Sequence, residues 1–182
     1  MRFYLDTEFI DDGQAIALIS IGLMAEDGRK FYAESTEFDP SKADDWVKAN
    51  VIDPLWSRQE GKDKFNKWGK DGGEGGFLSR REIASSLVSF LGESPQIWGE
   101  WCSYDWVAFC QLFGNGKMID LPTGYPYRCR DVVQLCEDSL GLSTEAWPKS
   151  LETEGNHNAL LGAETVKARY DWCQSRRLLA AQ

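Results

Sequence analysis

Asp6 and Glu8, in the run Tyr4-Leu5-Asp6-Thr7-Glu8-Phe9, are two acidic residues separated by a single position where the first hydrophobic stretch of the chain ends. On a strand, residues two apart share a face, so both carboxylates emerge side by side. Adjacent like charges raise each other's cost of ionisation unless a cation lies between them, and a strand has no packing use for such a pair. The spacing therefore predicts a metal site. A carboxylate-held metal that acts on water also calls for a general base, and the 182 residues contain one histidine, His157. It stands in Gly155-Asn156-His157-Asn158-Ala159-Leu160, where the pattern turns helical. Taken alone, a single histidine is more often a satisfied structural residue; beside a carboxylate pair it is a candidate base.

The elements that must position these groups follow from pattern. Segments 2–6, 17–24 and 30–35 predict three consecutive strands, with an Asp-Gly turn at Asp27-Gly28 between the second and third. A helix is expected over about 40–51, capped by Asp39 or Ser41, and another over 80–91 with Ile83, Leu87, Phe90 and Leu91 on its apolar face. Between them, 61–76 holds six glycines and several lysines, which predicts a surface loop insertion. A strand at 96–101 leads to Ser103 as cap of a helix beginning at Tyr104. Asp105 then falls in its first turn, where the helix dipole favours a carboxylate and where Asp6 and Glu8 should also emerge. That placement equally suits a plain helix-terminal acid. A short strand near 128–130, a helix over 131–140 with Asp131 at its N-terminus, and a last helix over 157–175 complete the order. No internal repeat is visible.

Composition narrows the class. With 42% apolar residues, the chain predicts one core and a single domain over 1–182. No apolar run is long enough to span a bilayer and the N-terminus runs directly into a strand, so a cytoplasmic protein without a membrane partner is expected. Five cysteines, an odd number without C-x-x-C spacing, read as reduced thiols. A formal charge of −9 argues against a broad duplex-binding surface, which needs a positive field. It leaves room for a small site that accepts the end of a strand.

Asp6 and Glu8, Asp105 in Trp101-Cys102-Ser103-Tyr104-Asp105-Trp106, and the late His157 together resemble the histidine-containing branch of the DEDD superfamily of 3′-5′ exonucleases. The longer stretches Tyr4 to Ile10, Leu18-Ile19-Ser20-Ile21-Gly22, Glu26 to Arg29 and Ser35 to Pro40 are closer still to the small bacterial and phage exoribonucleases related to ribonuclease T and typified by a mycobacterial polyadenylate-degrading enzyme. The resemblance implies an α/β, ribonuclease H-like fold: a mixed five-stranded sheet with helices on both faces. It implies metal-dependent 3′-5′ hydrolysis of single-stranded RNA with two ions, Mg²⁺ or Mn²⁺, held by Asp6, Glu8 and Asp105, and His157 as the base. Phe9 and Tyr104, next to the acids, are the candidate base-stacking residues. A homodimer is a further implication.

One position departs from the pattern. Five residues after His157 the family carries a fourth acid, and here Gly162 stands instead. The helical neighbours that share its face, Asn158, Ala159, Thr165 and Val166, are not carboxylates, and Glu164 lies round the helix. Glycine inside a helix costs about 1 kcal/mol relative to alanine, so the substitution reads as loss of a functional acid. An exoribonuclease impaired at position 162 is expected. The alternatives are a non-catalytic RNA- or nucleotide-binding relative and a 3′-5′ DNA exonuclease.

Overall fold

A computed structural model describes residues 1–59, 62–152 and 157–180. Two ten-residue strands, β1 (Arg2–Asp11) and β2 (Ile16–Ala25), form an antiparallel pair. β2 is apolar on both faces, as a strand covered on both sides must be, and β3 (Lys30–Ser35) joins it through the Asp27-Gly28 turn with Gly28 at φ 93°. The chain then makes a 3-10 turn at Pro40–Lys42, a single helical turn α1 (Asp45–Val47), a π-turn at Lys48–Ile52 and α2 (Trp56–Gln59). There follow α3 (Lys62–Lys70), β4 (Glu74–Leu78), α4 (Arg80–Leu91), β5 (Gln96–Gly99), α5 (Ser103–Cys110), β6 (Arg130–Asp131), α6 (Val132–Leu140) and α7 (Ala159–Ala180).

The sheet order is β4-β3-β2-β1-β5-β6, with β4 parallel to β3, β5 parallel to β1 and β6 parallel to β5. On one face Phe3, Leu5, Leu23 and Phe31 pack against Ile83, Leu87 and Phe90 of α4 and Phe109 of α5. On the other, Tyr4 and Trp98 pack against Val133 and Cys136 of α6 and Val166, Tyr170 and Cys173 of α7. This is the ribonuclease H-like α/β arrangement, with six strands where five were expected. The extra strand lies in the segment read as a surface loop: 61–76 instead contributes α3 and most of β4. Phe65 and Trp68 of α3 pack with Trp56 against Tyr32, Ala159 and Leu160, so the glycines punctuate a packed unit.

Three local expectations change as well. β1 does not stop at its acids but runs on to Asp11, because β2 pairs with it throughout. The segment 40–51 is broken into short turns, with Asp39 capping the first and Asp44 capping α1. Ser103 lies inside α5, whose preceding residue Cys102 provides no side-chain cap. Asp131 does cap α6, accepting from the Val133 N–H at 2.7 Å. Among the described residues, no helix is long and apolar enough to cross a membrane, and all five cysteines are unpaired.

Candidate active site

β5 accompanies β1 only from Arg2 to Tyr4. Beyond Tyr4 the two part, and the flank of β1 that carries Asp6, Thr7 and Glu8 opens into a cavity of about 500 Å³. The β1–β2 register slips between Glu8 and Phe9; such a bulge re-aims the side chains beside it. The Thr7 N–H on this bared strand is satisfied by the Asp105 carboxylate, whose Oδ1 accepts from Thr7 N at 2.9 Å and from Thr7 Oγ1 at 2.6 Å. Asp105 is thereby pinned to β1 at Thr7, between Asp6 and Glu8 in the chain.

The opposite wall is α7. Gly22 is the residue paired with Asp6 across the β1–β2 ladder, and a Cβ on it would meet the Ala159 carbonyl oxygen at 2.1 Å. Only glycine lets the first turn of α7 come this close to the sheet. Position 162 then faces Asp6: a Cβ added to Gly162 would stand 2.1 Å from Asp6 Oδ2. The carboxylate of Asp6 occupies the room that a side chain at 162 would need. Asn158 caps the helix, accepting from Leu160 N at 3.0 Å, and His157 precedes it at φ 40°. Glu164 points away and pairs with Lys30 at 2.5 Å.

Asp6, Glu8, His157 and Gly162 thus line one cavity, and Asp105 adjoins it through Thr7. Phe9 and Tyr104 sit outside that lining; they face one another with ring centroids 5.7 Å apart. Trp101 lines the cavity instead, 65% exposed and held at φ 45°, a strained conformation for a bulky residue. Its turn is tied down by Asp131 Oδ2, which accepts from Cys102 N at 3.2 Å. Glu100 and Arg169, an ion pair across the cavity, were not singled out from sequence. Arg169 also reaches Glu152 at 3.4 Å and rests on the Trp147 ring at 4.6 Å. It lies seven positions after Gly162, a spacing that returns to the same helix face and could have flagged it. Glu100, just past a strand end, carries no such signal.

Three carboxyls at the cavity are held against ionisation by burial and, for Asp6 and Glu8, by neighbouring acids. Burial, then the charges of Asp105, Glu8 and Glu100, push the Asp6 carboxyl well above the ordinary range. Burial and Asp105 raise Glu8 to about 7. Burial also raises Asp105, against the opposing pull of its Thr7 hydrogen bonds. In kind, these hard oxygen donors fit Mg²⁺ or Mn²⁺. Among the described residues no three His, Cys, Asp or Glu side chains converge closely enough to enclose an ion.

A carboxyl raised on folding holds its proton in the folded state while the unfolded chain has lost it. Stability therefore falls as pH climbs from the unfolded value toward the folded one. Without divalent ions, the thermal midpoint should drop between about pH 5 and pH 7.5, and added Mn²⁺ should recover it at the upper pH. Differential scanning calorimetry with and without chelator tests this, and Glu8→Gln should flatten the slope. A pH-independent midpoint in the unsubstituted chain counts against uncompensated acids.

Comparison with known proteins adds to this geometry. Residues 1–171 match the family model described as a 3′-5′ exoribonuclease Rv2179c-like domain. Two 3′-5′ exoribonucleases of Mycobacterium tuberculosis, Rv2179c of strain H37Rv and MT2234.1 of strain CDC 1551, are each 42% identical over 142 residues, covering 76% of this chain and 75% of the relative. Among solved structures, the RNase domain of the yeast Pop2 protein aligns with a TM-score of 0.51 at 13% identity, covering 97% of this chain and 77% of that one. That likeness concerns the fold.

Proposed function

The chain belongs to the Rv2179c-like 3′-5′ exoribonuclease family, and from that premise we propose that it acts on the 3′ end of single-stranded RNA, with turnover weakened by Gly162. The observation that carries this reading is the meeting of Asp6, Glu8 and His157 on one cavity across from position 162. Two divalent ions, when bound, activate water and stabilise the departing oxygen in phosphodiester hydrolysis. Asp6 and Glu8 would hold them from β1, and Asp105, fixed by Thr7, would support the set from α5. His157 takes the proton of the attacking water. The exposed Trp101 indole offers a face for a terminal base. Five unpaired thiols suit a reducing cytoplasm.

Gly162 favours a second reading, an RNA-binding relative without turnover, because Asp6 already fills the space of the absent side chain. The two separate on 3′-labelled and 5′-labelled single strands of RNA and DNA with Mn²⁺, comparing this chain with Gly162→Asp. For the extra carboxylate to enter, the Asp6 carboxylate must turn about χ1 and its Cβ, 3.0 Å from the added one, must give by a few tenths of an ångström. The substituted chain should shorten RNA from the 3′ end at least about tenfold faster, a barrier change of only ~1.4 kcal/mol. No shortening by either protein leaves the binding reading, and shortening of DNA alone removes RNA as the substrate.

A further inference from the structure

Trp46, on α1, is 55% exposed, so burial does not account for an indole there. What it touches is the catalytic imidazole: the Trp46 and His157 rings lie 4.7 Å apart, centroid to centroid, at 76°. Each side of this contact calls for the other. His157 sits at φ 40° ahead of the α7 cap, is exposed, and among the described residues makes no hydrogen bond or ion pair that would fix its ring. A general base must nevertheless be aimed, because proton transfer falls away sharply with misorientation.

Trp46, by contrast, stands on a firm base. Asp44 accepts from Val47 N at 2.7 Å to cap its helical turn, and the Asn50 side chain donates to the Trp46 carbonyl at 2.9 Å. The π-turn that follows anchors the segment by burying Val51 and Ile52 among Ile10 and Ile19 of the sheet. Irregular turns of this kind are frequent at functional sites.

We propose that Trp46 is a positioning residue for His157, its indole fixing the orientation of the imidazole at the mouth of the cavity. Edge-to-face aromatic contact favours one ring orientation by roughly two- to tenfold, enough to replace the hydrogen-bonded partner that the described residues do not supply. The catalytic part of this inference rests on His157 being the base; the structural part does not.

The presence of a single histidine makes the test direct. In the unsubstituted chain, selectively labelled for histidine, the imidazole protons should cross-relax with indole protons and resonate away from their random-coil positions under the indole ring current. Trp46→Ala should return them toward random coil while Trp46→Phe retains most of the displacement. No cross-relaxation in the unsubstituted chain, or imidazole resonances unmoved by Trp46→Ala, overturns the proposal. In a Gly162→Asp background that hydrolyses RNA, Trp46→Ala should lower kcat about tenfold with KM within about twofold, and Trp46→Phe should restore most of it. An unchanged kcat there also overturns it. Should Gly162→Asp hydrolyse nothing with Trp46 intact, the exoribonuclease reading fails instead, and the resonance comparison still decides whether Trp46 holds the ring.

Discussion

Glu34→Ala is expected to remove about 3 kcal/mol or more of stability, lowering the thermal midpoint by roughly 6–12 °C for a domain of this size. Glu34 is fully buried on β3, where charged residues are rarely found without partners. Its Oε1 accepts from Trp56 N at 2.7 Å and from the Tyr32 hydroxyl at 2.9 Å, and its Oε2 from Ser57 N at 3.0 Å. The carboxylate therefore does for the first turn of α2 what a capping side chain does elsewhere, from the neighbouring strand β3. Alanine would strand three donors at once, each orphaned group costing about 1–3 kcal/mol. Since Trp56 packs on Tyr32 at 4.6 Å and meets Phe65 and Trp68 at 5.4 and 5.6 Å, the loss should loosen the aromatic group covering Ala159 and Leu160. Calorimetry decides: a drop under about 2 °C would mean the carboxylate is not holding α2.

The second large effect is expected from Gly22→Ala. The atoms in the way are backbone, with Ala159 O at 2.1 Å, Ala159 C at 2.3 Å and Leu160 N at 2.4 Å, so no rotamer change can make room. Either β2 or the start of α7 must shift. Overpacking of this kind costs about 1–3 kcal/mol, a midpoint loss of roughly 2–12 °C. Function should suffer beyond stability, because displacing α7 carries His157 and position 162 away from Asp6. In the Gly162→Asp background, hydrolysis by Gly22→Ala should fall even at temperatures where the protein remains folded. Full hydrolysis in a folded Gly22→Ala protein would show that the close approach of α7 does not matter to the site.

The acid pair was legible because two-residue periodicity is local: whatever the fold, Asp6 and Glu8 on a strand face one way. The Asp27-Gly28 turn and the apolar face of α4 were legible for the same reason. What escaped depends on meetings between distant segments. Asp105 is placed beside the pair by its helix-start position and by the resemblance; what escaped was its anchor, the Thr7 N–H bared where β5 leaves β1 after Tyr4. Gly162 reads as a missing ligand, and only the meeting of α7 with β1 shows that Asp6 stands where a side chain at 162 would go. α3 was hidden by composition, since glycines and lysines around it outweighed Phe65 and Trp68, whose three-residue spacing was the helical signal. The exposed, strained Trp101 and the Trp46–His157 contact lie outside any periodic pattern.

The margins of the sheet bear on how two copies could associate. On one side it ends in β6, two residues long; on the other in β4, where Gly75 and Gly76 interrupt a five-residue strand at φ 122° and 156°. Neither border presents a straight row of free amides and carbonyls for another chain to zip onto. Strand-to-strand pairing of two copies is therefore disfavoured at both margins of the sheet.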